Sequence, residues 1–153
     1  MEINQDKNFL KKKSKKVDQV TDEIRNLVLK MEKTMKENNG VGLAAPQVGI
    51  QERIIIINHN DGTKFFINPV ILEKSSVQDC LEEGCLSVPG VRLEIKRPIS
   101  VKAKFLDLDN QEKTIELHGF SARIFQHELD HLNGILITDR IPLKEKIKRV
   151  FLK

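Results

Sequence analysis

The chain has 153 residues, 26 Lys+Arg against 22 Asp+Glu, a net charge of +4, two Cys, four His, and neither Trp nor Tyr. That length fits one domain spanning residues 1–153, and two cysteines are too few for a disulfide scaffold. The longest purely apolar run, Ile54 to Ile57, falls far short of the roughly 20 residues that cross a bilayer, so no membrane association is expected. The lysine-rich start is followed by no apolar segment, and it carries Glu2, Asp6 and Asp18. Neither a secretory signal nor a transit peptide reads that way, and the expected location is cytoplasmic. The run Lys11-Lys12-Lys13-Ser14-Lys15-Lys16 supplies much of the positive charge. No aromatic residue interleaves it to stack on bases, so it reads as a solvated face without specific nucleic-acid recognition.

The first clear element is a helix over about 21–38. Thr21 suits the N-cap, Asp22 and Glu23 favour the positive end of the helix dipole, and Ile24, Leu27, Val28, Met31 and Met35 form one apolar stripe. Asn38-Asn39-Gly40 stops it. Strand-like runs follow: Arg53 to Asn58, then a hairpin signal at Asp61-Gly62 leading into Lys64 to Ile71. Ile99, Val101, Ala103 and Phe105 alternate with polar residues, and Asp107 to Asn110 turns the chain back along Lys113 to Leu117. A second helix is expected over about 120–133, ended by Gly134, and a short third helix after Pro142. Helices flanking a run of hairpins argue for an α+β fold.

The second helix carries His127-Glu128-Leu129-Asp130-His131. Histidines at i and i+4 stand about 40° apart around a helix, so both rings can reach one ion, and Glu128 can hold a water there and shuttle its proton. Both histidines continue the inward stripe of Phe120 and Ile124, and burying two imidazoles requires partners. A catalytic ion needs a third protein ligand as well. A metzincin pattern would demand a histidine where Ile137 stands, so that reading fails. Glu145 downstream is one candidate. Cys85, in Glu82-Glu83-Gly84-Cys85-Leu86-Ser87, is another, offering a thiolate suited to a transition metal. Cys80 has no comparable setting. Upstream, Gly40-Val41-Gly42-Leu43-Ala44-Ala45-Pro46-Gln47 follows a helix instead of a strand, which does not suit a dinucleotide fingerprint. Its glycines permit close backbone approach, and the amide of Gln47 can donate to an oxyanion.

Taken in order, Gly40 to Gln47, Glu83 to Ser87 and Gln126 to Gly134 resemble the three motifs of the peptide deformylases, with Phe66-Ile67-Asn68-Pro69 also fitting. The resemblance covers roughly 5–142, and the compact spacing is similar to the bacterial type I form. It implies antiparallel or mixed β-sheets packed around a central helix that bears the H-E-x-x-H, with an N-terminal helix and a short C-terminal one. It also implies removal of the formyl group from the N-terminal formyl-methionine of nascent polypeptides, releasing formate. In that reading Cys85, His127 and His131 hold one divalent metal: Fe2+ in the cell, with Zn2+, Ni2+ or Co2+ in a purified sample. Glu128 is the general acid/base, and Gln47 with the backbone N–H of Leu86 stabilises the oxyanion. Val41, Gly42, Arg92, Phe120 and Ile124 bind substrate, and Glu83 with Arg97 forms an ion pair steadying the cysteine loop. The partners implied are nascent formyl-methionyl chains and a weak ribosome contact, aided by Lys144, Lys146, Lys148 and Arg149, with the protein acting as a monomer.

Overall fold

A computed structural model describes residues 1–141. The expected helix after Pro142, together with Glu145 and the basic residues around it, lies outside the described residues. A four-residue helix, α1 (Lys7–Leu10), opens the chain, capped by Asp6, whose side chain accepts from the N–H groups of Asn8 and Phe9. The first long helix, α2, spans Asp22–Glu37 with Thr21 as N-cap, and it buries Ile24, Val28, Met31 and Met35. At its end Asn39, with φ 53°, takes the left-handed position.

From there the chain makes β1 (Gly42–Ala44), a single 310 turn (Ala45–Val48), β2 (Ile54–His59), β3 (Gly62–Lys74), β4 (Gln78–Cys85), β5 (Val88–Pro98), β6 (Ser100–Leu106) and β7 (Glu112–His118). Helix α3 (Gly119–Leu132) and a short 310 turn (Ile137–Asp139) follow. Five strands form one sheet in the order β1-β2-β3-β6-β7, and β4 and β5 form a separate hairpin. Every strand pair is antiparallel. A lone parallel bridge joins Lys15 to Glu52.

The isoleucine run of β2 shows why this sheet lies where it does. All of Ile54, Ile55, Ile56 and Ile57 are fully buried, because side chains alternate between two covered faces. Ile55 and Ile57 join a core with Ile124, Phe125 and Leu129 of α3. Ile54 and Ile56 join another with Val28, Met31 and Met35 of α2. Each such side chain contributes roughly 1.5–3 kcal/mol by leaving water. The β4–β5 hairpin packs Leu93 and Ile95 against Ile137, and it is tied to α3 by side-chain hydrogen bonds described below. Helix α3 is therefore bounded by the large sheet and by the hairpin, and its stretch from Ala122 to Leu132 is buried throughout.

Candidate metal centre and catalytic pocket

Three elements bring the expected site residues together. Cys85 ends β4 and pairs with Val88, and Leu86-Ser87 forms the turn between them. His127 and His131 come from consecutive turns of α3. One ligand atom from each of Cys85, His127 and His131 lies within 4.8 Å of the other two. Cys85 Sγ stands 3.3 Å from His131 Nε2. The His127 ring is turned by its other nitrogen, since Nδ1 lies 2.9 Å from Glu83 Oε2, leaving Nε2 as its ligand atom.

The charges fit a cation. Burial opposes a proton on His127, but hydrogen bonds to Cys85 and Glu83 and the charge of Glu128 raise its pKa to about 10. Positive charge is thus favoured at that position, and a divalent ion would supply it. His131 is pulled well below the ordinary histidine range by burial and by the neighbouring charges of His127 and Arg97. A neutral imidazole with a cysteine sulfur beside it, which binds as the thiolate, is the donor set that borderline-soft divalent metals take. His131 turns its Nε2 to Cys85, and beside the cluster one buried carboxylate oxygen, Glu128 Oε2, has no hydrogen-bond partner. The residues present therefore fit a metal centre.

Glu128 follows His127 on α3 and is 4% exposed. Burial, reinforced by the charges of Glu83 and Asp130 against the pull of His127 and Arg97, raises its pKa to about 7. A carboxyl group so placed can take and return a proton near neutral pH. Across from it, the Gln47 amide has a defined orientation. Its Oε1 accepts the Ala44 N–H at 2.9 Å, so its Nε2 points inward, 3.6 Å from Cys85 Sγ and 3.4 Å from Ser87 Oγ. Gly42 of β1 runs against α3 so tightly that a Cβ there would sit 2.6 Å from Glu128 Oε1 and from Ile124 Cγ2.

Cys85 and His127, with His131 behind them, border a cavity of about 620 Å³ whose lining includes Val41, Gly42, Gln47, Leu86, Arg92, Phe120, Ile124 and Glu128. Ile124 is buried, while Val41 and Phe120 are 44% and 62% exposed and stand at the rim. Arg92 is also at the surface, where Nη1 donates to Glu82 Oε1 at 3.1 Å.

The polypeptide deformylase family model matches residues 2–147. The chain belongs to the peptide deformylase family. Peptide deformylase 1 of Clostridium perfringens (strain 13 / Type A) is 50% identical over 136 residues, which cover 88% of this chain and 92% of that protein. The crystal structure of the peptide deformylase from Thermotoga maritima superposes with a TM-score of 0.88 at 41% identity, covering 92% of this chain and 96% of that one. An actinonin-bound class I type b peptide deformylase from Acinetobacter baumannii gives 0.87 at 42%, over 93% and 98%. As a peptide deformylase, the chain is a hydrolase.

Behind the Cys85–His127–His131 cluster of this deformylase lies a buried ionic network larger than the sequence suggests. Arg97 forks onto Glu83, Nε to Oε1 at 2.6 Å and Nη2 to Oε2 at 2.9 Å, which is the expected ion pair. Its Nη1 donates to Asp130 Oδ2 at 2.9 Å. Arg140 also donates to both oxygens of Asp130, and Arg123 donates to Glu83 and Asp79. Burial alone would raise the pKa of Glu83, but hydrogen bonds from His127 and Arg97 bring it down to about 2. Sequence reasoning missed Asp130, Arg123, Arg140 and Asp79. One signal was present: in β5 the inward positions run Leu93, Ile95, Arg97, placing a charge where alternation calls for an apolar residue.

Proposed function

We propose that this chain, acting as one catalytic domain in the cytoplasm, removes the formyl group from the N-terminal formyl-methionine of nascent polypeptides and releases formate. The observation carrying this reading is the cluster of Cys85, His127 and His131 ligand atoms within 4.8 Å of one another, beside a cavity lined by Cys85, His127, Glu128 and Gln47. Cys85 Sγ and one ring nitrogen each of His127 and His131 would hold one divalent ion: Fe2+ in the cell, with Zn2+, Ni2+ or Co2+ in purified protein. Such an ion supplies Lewis acidity and a water that ionises near neutral pH.

The chain's own groups do the rest. Glu128 takes the proton of the attacking water and delivers it to the departing amine. The Nε2 of Gln47 and the backbone N–H of Leu86 receive the negative charge that grows on the formyl oxygen. Val41, Gly42, Phe120 and Ile124 accept the methionine side chain and the peptide behind it, and Arg92 closes the rim. The protein works as a monomer with at most a weak ribosome contact. No helix among the described residues is long and apolar enough to cross a membrane.

The test is formate release from a formyl-Met peptide by metal-loaded protein, assayed anaerobically because thiolate and iron are oxidation-prone. Glu128→Ala should retain the metal and lose activity by a factor of about 10² or more. Full activity in that variant would overturn the mechanism, and equal cleavage of an acetyl-Met peptide would overturn the substrate.

A further inference from the structure

The three ligands proposed above are divided between two bodies. Cys85 belongs to the β4–β5 hairpin, while His127 and His131 belong to α3. Their mutual distances therefore depend on how the hairpin is docked on the helix. The Arg97–Glu83 pair lies within the hairpin, and Arg97 itself reaches α3 through one bond, to Asp130 near the far end of the helix.

Arg123 crosses from the helix to the hairpin with four bonds. It stands one turn before His127 on α3, on the same face at i−4, and it is 4% exposed. Its Nη1 donates to Glu83 Oε1 at 2.7 Å and to the Ile95 carbonyl at 2.8 Å. Its Nη2 donates to Asp79 Oδ1 at 2.5 Å and to the Asp79 carbonyl at 3.1 Å. One guanidinium thus grips both strands of the hairpin. It also completes Glu83, whose Oε1 is shared by Arg97 and Arg123 while Oε2 takes Arg97 and faces His127 Nδ1. All of the roughly four acceptor sites of that carboxylate are then in use, so it cannot swing away from His127.

We infer that Arg123 is a positioning residue for the metal centre. It locks the cysteine-bearing hairpin onto the histidine-bearing helix and holds Glu83 on His127, and so sets how tightly a divalent ion is gripped. This inference rests on the metal-centre reading above.

The experiment uses full-length protein loaded with Co2+, its release to excess chelator followed by the thiolate-to-Co2+ absorption, with thermal unfolding recorded separately. In the parent, a thiolate band that vanishes in Cys85→Ser is required. If the parent shows no such band, the metal-centre reading itself fails. Given the band, Arg123→Met should release Co2+ about 10- to 100-fold faster, the range for groups that orient a metal ligand, with altered visible bands. Arg123→Lys keeps one cationic donor and should recover part of the retention. Asp79→Asn leaves the Glu83 contact intact and should accelerate release less. A folded Arg123→Met protein with parental release and spectrum overturns the inference. If Arg123→Met does not fold, parental release in both Arg123→Lys and Asp79→Asn overturns it equally.

Discussion

Gly42→Ala tests the close approach of β1 to α3. A Cβ at this position would lie 2.6 Å from Glu128 Oε1, 2.6 Å from Ile124 Cγ2 and 2.9 Å from Glu128 Cγ, so a retreat of about 0.8 Å is needed to reach the 3.4 Å of ordinary contact. Neither side yields freely. Strand β1 is paired to β2, Gly42 to Ile57, and Ile124 is 4% exposed within the main core. Overpacking of this kind costs about 1–3 kcal/mol, which for a chain of this size lowers Tm by about 2–12 °C. The Glu128 side chain is the most movable of the three contacts, and its shift is what activity will register. A misplacement near 1 Å costs on the order of 10²-fold in rate. The assay is kcat/KM for formate release, with Tm and metal content measured on the same preparation. The expected result is a loss of about 100-fold in kcat/KM with metal content unchanged. Activity within twofold of the parent would show that Glu128 is not held where the geometry requires.

Three other outcomes follow from the same contacts. Gln47→Ala should lower kcat by about 10² to 10³, the usual cost of one oxyanion donor, and also strand the Ala44 N–H that Gln47 Oε1 now accepts; steady-state kinetics check the first effect and thermal unfolding the second. Gly134→Ala should cost about 2–4 kcal/mol, because its φ is +71° and a Cβ would fall 2.2 Å from the Lys11 carbonyl oxygen, whereas the contact nearest a Cβ at Gly84 is 3.8 Å. Gly84→Ala is the matched control in the same melting experiment, expected within about 0.5 kcal/mol of the parent. Stripping the metal with a chelator should abolish formate release and lower Tm, since an ion held at 100 times its Kd stabilises the folded state by about 2.7 kcal/mol; an unchanged Tm would contradict the proposed ligand set.

What could be read from the chain in advance was whatever depends on local spacing. Thr21 caps α2 as expected, and the i, i+4 histidines share a face because helix geometry alone puts them there. The paired strands around Asp61-Gly62 and the alternation leading into β6 were equally legible, since turn chemistry and period-2 burial are local properties. The hairpin β4–β5 gives no such signal. Its inward positions carry Glu83 and Arg97 in place of apolar side chains, so the hydrophobic period that marks a strand is broken where the ionic network begins. Cys85 could be nominated from the sequence but not distinguished there from Glu145 by spacing; its nearness to His131 depends on residues 46 positions apart. Nothing local in the sequence marks Arg123 or Asp130 as buried, since their partners Glu83, Asp79 and Arg97 come from the distant hairpin.

Their burial raises an energetic question about α3. Between Ala122 and Leu132 the helix buries Arg123, Gln126, His127, Glu128, Asp130 and His131 along with its apolar side chains. Hydrophobic transfer cannot account for placing so many polar groups inside, and each one left without a partner costs about 1–3 kcal/mol. Most are compensated: Arg123 by Glu83 and Asp79, Gln126 by the carbonyls of Pro98 and Ala122, His127 by Glu83, and Asp130 by Arg97 and Arg140. The uncompensated atoms of this helix are Glu128 Oε2 and His131 Nδ1, on a proposed proton shuttle and a proposed metal ligand. Replacing the network by apolar residues could be neutral or even stabilising for the fold, so packing alone gives little reason for it. A reason lies in the site: for His127 to present Nε2 to a cation its Nδ1 must be fixed, and Glu83, itself held by Arg97 and Arg123, fixes it.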